Sequence, residues 1–553
     1  MIPNAGSEGA VQELIDRKVF GKLALTIPDE GHSKMLPENL GHLFDASLQL
    51  QPTAPAVLQE DVVLSFRDLD ERCNRMANAL VSLGIRPGWR VALMFSNDYR
   101  FIESLLGAMR VGAVPVPLNI RMGDEAILHV MVDSEAVVLI AGSDTADRAR
   151  ALIAHVPGVR HFIVEGEAKG RALNYDQVLG AASPVFTRRK TEADEVCLQP
   201  YTSGSTGKPK GVLLTHGGQI WNTDLLCKLE AFDHTERALV AVPLYHKNAM
   251  VGAVKPMLLC GGSLVILPGF DAVEVIRSIA RYKVTYMTGV PAMFSRILSQ
   301  REELRRNDVK SLRYAVCGSA EVSEELVAEF QAAFPEAIIA ESYGLTEGGP
   351  DPIGNCRYGL IKRGSCGRKI PGSEVKIVGE DGVTELGPNE VGEFITRNPG
   401  LAKGYWKLPE VTSKKFRDGW LYTGDLMRRD EDGFFYFVGR KDDMINVSGE
   451  NVYPKEIVDI LLRHPSVREA YVVPVPHPIK GAVPVAFIVQ AAPASTTAEE
   501  IKQFYLKYGA PYAYPRRIYF LDSMPLGGTG KVDRAQLTKL AVEFEEKAQH
   551  EPA

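Results

Sequence analysis

Val91-Ala92-Leu93-Met94-Phe95 is a short apolar run bounded by turn residues, and it reads as a buried β-strand. Ser96-Asn97-Asp98 follow with residues that cap helix N-termini, and the stretch to about Val111 is compatible with a helix. Ala113-Val114-Pro115-Val116 then begins a second strand. Upstream, Leu69, Cys73, Met76, Leu80 and Leu83 form the stripe of an amphipathic helix, which Gly84 stops. A strand, helix and strand in this order need a crossover connection, so a parallel sheet is predicted.

Further runs at Val137–Ile140, Val240–Val242, Leu264–Leu267, Val284–Met287, Tyr314–Cys317 and Ala337–Ala340 extend the pattern into a large multi-subdomain α/β body. After Gly382 the texture changes to short strands punctuated by glycine and proline, Val391–Thr396, Trp420–Thr423 and Phe434–Val438, which predicts a small β-barrel-like part. From Pro454 to about Phe544, Ile457–Leu462, Ala470–Pro474 and Val485–Gln490 suffice for a small α+β domain. The charged stretch Gly439-Arg440-Lys441-Asp442-Asp443 marks the boundary, giving a body over 1–441 and a C-terminal domain over 442–553.

The 553 residues carry 63 Lys and Arg against 69 Asp and Glu, a net charge of −6, so no global field draws nucleic acid or an anionic membrane. No apolar stretch approaches the roughly 20 residues of a membrane span. The seven cysteines stand singly without a C-x-x-C pair, which argues against a disulfide framework or zinc knuckle and for a reducing compartment. The first thirty residues lack the features of a secretory signal, and a cytoplasmic location is expected.

The most informative segment runs from Tyr201 to Gly211. It places Gly204, Gly207 and Gly211 among the hydroxyls of Thr202, Ser203, Ser205 and Thr206 and the ammonium groups of Lys208 and Lys210. Glycines let backbone N–H groups turn toward an anion, hydroxyls add donors and lysines add charge, so the loop suits polyphosphate. It is not a Walker A loop, because Lys208 is followed by Pro209 and a strand-like run rather than by a hydroxyl residue and a helix.

This loop resembles the phosphate-binding signature of the adenylate-forming superfamily: acyl-CoA synthetases, nonribosomal-peptide adenylation domains and beetle luciferases. Four more strings match in the same order: Tyr343-Gly344-Leu345-Thr346-Glu347, Tyr422-Thr423-Gly424-Asp425, Gly439–Asp443, and Pro525-Leu526-Gly527-Gly528-Thr529-Gly530-Lys531. The resemblance implies an ATP-dependent acid–CoA ligase. A carboxylate attacks the α-phosphate of ATP to give acyl-AMP and pyrophosphate, then the thiol of coenzyme A takes the acyl group and expels AMP.

It also implies roles. Thr202, Ser203, Gly204, Ser205, Thr206, Gly207 and Lys210 would cradle the β- and γ-phosphates. Gly318, Ser319, Ala320, Ser342, Tyr343 and Gly344 would surround adenine, Thr346 would contact the α-phosphate, and Glu347 would hold Mg²⁺. Asp425 would accept from the ribose hydroxyls, with Arg440 beside it. Lys531 would bridge the attacking carboxylate and the α-phosphate, Asp442 would be the hinge that swings it away, and Gly449 would line the pantetheine tunnel. One departure follows the hinge, where the family often has Glu-Ile-Glu and this chain has Glu456-Ile457-Val458.

Pro243–Met250 resembles the family's acyl-pocket string, with His246 beside the substrate carboxylate. Tyr245, Asn248, Met250, Val251 and Val254, with Met287, Thr288 and Gly289, would line the pocket. The string has no acidic residue to pair with an α-ammonium, which disfavours amino acids. The remaining mixture is consistent with short, branched, aromatic, hydroxylated or fatty acids. Only 22 residues follow Lys531, too few for a carrier domain, so free coenzyme A is the expected acceptor. The alternatives are an enzyme that loads a separate carrier protein, a luciferase-like oxygenase and a non-catalytic nucleotide-binding homologue. A homodimer is left open.

Overall fold

The computed structural model describes residues 36–203, 208–318, 322, 324–349, 351–447, 450–477, 481–492, 496–525 and 532–550. The chain divides into two compact units, 1–374 with 396–421, and 375–395 with 422–553.

In the first unit the opening strand is Arg90–Met94, flanked by the helices Phe66–Ser82 and Tyr99–Val111 and followed by the strand Val114–Pro117. A capping box starts the first helix: Ser65 Oγ accepts from Asp68 N at 3.1 Å, and Asp68 Oδ2 accepts from Ser65 N at 2.9 Å. Leu69, Cys73, Met76 and Leu80 form its buried stripe. Asp98 caps the second helix by accepting from Arg100 N at 2.7 Å, and Gly112 ends it in the left-handed region at φ +82°.

These strands belong to a five-stranded parallel sheet in the order Val114–Pro117, Arg90–Met94, Ala136–Ala141, His161–Val164, Ala172–Asn174. The central strands are apolar almost throughout, as a parallel sheet covered on both faces requires. Each buried Leu, Ile or Val there contributes roughly 1.5–3 kcal/mol of hydrophobic stabilisation before entropy is counted.

The second sheet has seven strands in the order Ile338–Ser342, Tyr314–Gly318, Tyr286–Gly289, Arg237–Val240, Ser263–Ile266, Pro55–Gln59, Val62–Ser65. All its pairings are parallel except the last, an edge hairpin. After Arg237–Val240 the chain adds Ser263–Ile266 on one side, then crosses to add Tyr286–Gly289 on the other. The carboxyl ends of Arg237–Val240 and Tyr286–Gly289 therefore flank a topological switch point, where α/β sheets bind ligands.

The second unit contains the strand Trp420–Arg429 from Tyr422 onward and the strand Phe435–Arg440, paired antiparallel with Asp425 opposite Arg440. Its other sheet runs Glu450–Val452, Ile445–Val447, Gly481–Gln490, Val467–His477, with Arg517–Phe520 parallel to Gly481–Gln490. The helices Pro454–Leu462 and Ala498–Tyr508 supply Ile457, Leu461, Ile501 and Tyr505 to the core on this sheet. All seven cysteines are free thiols. Among the described residues no helix is long and apolar enough to cross a membrane.

Candidate active site

The switch-point crevice takes its walls from the segments that leave the two strands. The Pro243–Met250 string follows Arg237–Val240, and Met287, Thr288 and Gly289 close the neighbouring strand. The buried side chain of Asn97 pins the start of the string: its Nδ2 donates to Val242 O at 2.9 Å and its Oδ1 accepts from Leu244 N at 2.8 Å. Asn97 follows the strand Arg90–Met94, so this pair of bonds ties one parallel sheet to the Pro243–Met250 string of the other.

His246 caps the turn Lys247–Ala249, its Nδ1 accepting from Asn248 N at 3.3 Å. Asn248 Oδ1 accepts from Thr288 Oγ1 at 2.7 Å, which fixes the string against the strand. Met250–Val254 then winds as a π-helix, a feature that often marks functional sites. A Cβ on Gly252 would lie 3.2 Å from Thr288 Cγ2, so this turn sits directly on the strand. Met250, Val251, Val254 and Met287 are buried. Burial pushes the Tyr245 hydroxyl up to about 12.

Farther along the same sheet edge Gly318 stands opposite Ser342 in register. A Cβ on Gly318 would fall 2.1 Å from Ser342 Oγ, so only glycine fits there. Ser342 leads through Tyr343 and Gly344 into the single turn Thr346–Gly348, which carries Glu347. Glu347 Oε1 accepts from Tyr405 OH at 2.9 Å and from Thr202 Oγ1 at 3.3 Å. The loop is held from outside as well: Ala402 N donates to Glu347 O at 3.0 Å, and Asn398 Nδ2 to Gly348 O at 2.8 Å.

Thr202 lies on a hairpin in which Tyr201–Ser203 pairs with Pro209–Gly211 and Lys210 faces Thr202. A network anchors its base. Tyr201 OH donates to Asp133 Oδ2 at 2.6 Å and accepts from Gln199 Nε2 at 3.1 Å, while Gln199 Oε1 accepts from Arg90 Nε at 3.1 Å. The Arg90 guanidinium stacks 3.7 Å from the Trp406 ring centroid, and Trp406 Nε1 donates to Asp133 O at 2.9 Å. Burial, reinforced by the Asp133 carboxylate, holds the Tyr201 phenol in its protonated, donating form. The hairpin predicted to hold polyphosphate and the turn predicted to hold Mg²⁺ thus meet at one carboxylate.

In the second unit Asp425 is nearly buried and accepts from Arg440 Nε at 2.8 Å across the strand pair. Thr423 Oγ1 accepts from Asp425 N at 3.0 Å and donates to Phe394 O at 2.6 Å, which fixes the turn that presents the carboxylate. Asp442 lies in the single turn Lys441–Asp443, and its neighbour Asp443 forms an ion pair with Arg534 at the start of the helix Arg534–His550. Gly204, Ser205, Thr206, Gly207, Ser319, Ala320, Gly449 and Lys531 lie outside the described residues, as does the side chain of Ser203.

Sequence reasoning missed Tyr405, Asn398, Asp133 and Asn97. Each is far in sequence from the group it holds, and no local spacing marks it. The donor set around Glu347 fits Mg²⁺. Both side-chain hydrogen bonds to it fall on Oε1, and among the described residues no group of three His, Cys, Asp or Glu could hold a metal. Mg²⁺ is commonly held by one or two carboxylates together with substrate phosphates and water.

Comparison with known proteins identifies the family. Residues 44–406 match the family described as AMP-binding enzyme, and 456–531 match the AMP-binding enzyme C-terminal domain. The chain is 34% identical to a feruloyl-CoA synthase of an Amycolatopsis species, over 91% of this chain and 99% of the relative. Among solved structures it is similar to an anthranilate CoA ligase in complex with anthranoyl-AMP, with a TM-score of 0.85 and 26% identity over 92% of this chain and 99% of that one. It is also similar to ATP-bound MatB from Rhodopseudomonas palustris, with a TM-score of 0.83 and 28% identity over 92% and 99%.

Proposed function

The chain belongs to the AMP-binding enzyme family, and from that premise we propose that it activates a carboxylic acid with ATP and transfers the acyl group to coenzyme A. It is an AMP-forming acyl-CoA synthetase. The acid carboxylate attacks the α-phosphate, and pyrophosphate leaves. The thiol of coenzyme A then attacks the acyl carbonyl, and AMP leaves. The first step brings two anions together, so oriented donors and cations must offset the charge gathering on the phosphoryl oxygens.

The observation that carries this reading is the meeting of Thr202 and Tyr405 on Glu347, beside the carboxyl ends of adjacent parallel strands. We assign the β- and γ-phosphates to the hairpin of Thr202, Ser203 and Lys210 with its tip Gly204–Gly207. Adenine lies along Gly318–Ala320 and Ser342–Gly344, and Thr346 meets the α-phosphate. Glu347 would hold Mg²⁺, which when bound neutralises phosphate oxygens. Asp425 and Arg440 take the ribose, and His246 orients the acid carboxylate. Lys531 carries the positive charge of adenylation, Asp442 is the hinge between a body over 1–441 and a mobile domain over 442–553, and Gly449 lines the tunnel for the thiol arm. A cytoplasmic location, which the seven free thiols favour, belongs to the same proposal. So does a homodimer, which light scattering tests.

The experiment is acid-dependent ATP–pyrophosphate exchange, followed by AMP release with and without coenzyme A. Lys531→Ala is expected to keep ATP affinity within about tenfold and to lose exchange, as removal of a charge acting only in the transition state should. Near-normal exchange in that variant contradicts its assignment. Exchange without stimulation of AMP release by coenzyme A would favour loading of a carrier protein.

A further inference from the structure

The helix His216–Leu229 follows the phosphate hairpin, and the helix Lys255–Cys260 continues directly from the π-helical turn of the acid-pocket string. The two helices pack together, and Lys255 Nζ donates to Gln219 Oε1 across them at 2.8 Å. Gln219, Asn222 and Lys255 are only 1%, 0% and 2% exposed. Their polar groups are nevertheless unfinished. Among the described residues, Gln219 Nε2 and both Asn222 Nδ2 and Asn222 Oδ1 lack a hydrogen-bond partner, and the bond to Gln219 is the one side-chain hydrogen bond of the Lys255 ammonium. Buried polar groups are almost always paired, so three such atoms on one helix, which also binds a buried ammonium through Gln219, call for an explanation. Burial pulls the Lys255 ammonium down to about 8, with Cys197 and Asp351 opposing that shift and Lys247 adding to it.

The chain runs from the Pro243–Met250 string through the turn Met250–Val254 straight into this cluster. Lys255 is the residue after Val254, and the turn before it rests on Thr288 through Gly252. Gln219 and Asn222 stand three residues apart on the helix His216–Leu229, a spacing that puts them on one helix face. We propose that Asn222, Gln219 and Lys255 form the inner end of the acid pocket and select a hydroxylated acid, its hydroxyl seated among them while its carboxylate lies at His246. This rests on the reading that Pro243–Met250 lines the acid.

Hydrogen-bond bookkeeping chooses the group. Whichever way its amide is turned, Asn222 offers one donating and one accepting end, while Gln219 Nε2 and Lys255 only donate. A hydroxyl donates once and accepts twice, so it can engage both kinds of partner. A second carboxylate accepts only and leaves the Asn222 oxygen without a donor. An alkyl end leaves every one of these atoms unpaired. A phenol suits the site better than an aliphatic alcohol, because it is the stronger donor and its oxygen tolerates the neighbouring ammonium.

The test measures kcat/KM in ATP–pyrophosphate exchange for an aryl acid with a terminal hydroxyl, its unsubstituted parent, the corresponding dicarboxylic acid and a straight-chain alkanoic acid. The wild-type protein is expected to prefer the hydroxylated acid over its parent by at least about tenfold, because a site built to bond a hydroxyl penalises its absence. Asn222→Leu and Lys255→Met should each bring that ratio close to one. If Lys255→Met fails to fold, Asn222→Leu carries the test alone, since among the described residues Asn222 has no side-chain hydrogen bond for the fold to lose. The inference is overturned by a wild-type protein indifferent to the hydroxyl, by preference for the dicarboxylic or alkanoic acid, or by variants that lower all acids alike and leave the ratio standing. Exchange with none of the acids overturns the proposed function as well.

Discussion

Two buried polar clusters in the first unit use similar parts and finish them differently. Around Glu103, which is fully buried, both carboxylate oxygens are engaged. Arg72 reaches both, at 2.8 Å for the Nη2 to Oε1 bond, and Tyr175 OH donates to Oε1 at 2.6 Å while meeting Ser104 Oγ at 3.1 Å. Around Lys255, by contrast, a charge and two amides share a single hydrogen bond. A closed network of this kind specifies how the helices Phe66–Ser82, Tyr99–Val111 and Tyr175–Ala181 sit together. The open one ties the helices His216–Leu229 and Lys255–Cys260 by one bond and leaves its other polar atoms for the proposed ligand.

The contrast breaks most readily at Glu103. Glu103→Ala leaves the Arg72 guanidinium and the Tyr175 hydroxyl without their acceptor, and unfolding in urea should show a loss of about 3–5 kcal/mol. A loss below about 1 kcal/mol would mean that the closed cluster is not a structural clamp.

His216 sharpens the contrast, since it opens the helix that carries the unfinished amides. Its Nδ1 accepts from Leu40 N at 2.9 Å, while its Nε2 has no partner among the described residues. Burial lowers its pKa from 6.5 to about 4, with Arg189 and His42 pushing the same way and Glu195 opposing. The folded protein therefore binds this proton more weakly than the unfolded chain does. The contribution is complete above pH 6.5 and disappears as pH falls through about 4, an effect on the order of 3 kcal/mol. Urea midpoints from pH 7 to pH 4 should fall more steeply for the wild-type protein than for His216→Gln. Equal slopes would contradict the assignment.

The smallest effect is expected at Asn222. Asn222→Leu removes no side-chain hydrogen bond to any described residue and adds apolar contact, so stability without ligand should change by no more than about 1 kcal/mol. A larger loss would show that this amide belongs to the fold after all.

Much of the architecture could be read locally. The run Val91–Phe95 lies on the strand Arg90–Met94, and the stripe from Leu69 to Leu80 is the buried face of the helix Phe66–Ser82. Apolar runs located strands better than they bounded them. Val240–Val242 was expected as a strand, but the ladder ends at Val240, and the strand expected at Val284–Met287 is Tyr286–Gly289. Apolar character continues past the last ladder bond because the flanking residues are buried too. The strands Pro55–Gln59 and Val62–Ser65 gave no reading, since Pro55–Gln59 takes its place by pairing with Ser263–Ile266, about two hundred residues away. The site divides in the same way. Thr202 and Glu347 stand in dense motifs, and the structure brings them together. Tyr405, Asn398 and Asn97 act through contacts that only the folded chain creates. The unfinished bonds of Asn222 are invisible in any string of letters, because a missing partner is a property of three dimensions.

The most direct measurement is isotope exchange between pyrophosphate and ATP, run with the purified full chain and a panel of carboxylic acids and then followed through to the thioester. Exchange that requires an acid, stops on removal of Mg²⁺ and leads to acyl-CoA and AMP once coenzyme A is added is the predicted result. A protein that binds ATP and yet exchanges no pyrophosphate with any acid would contradict the account.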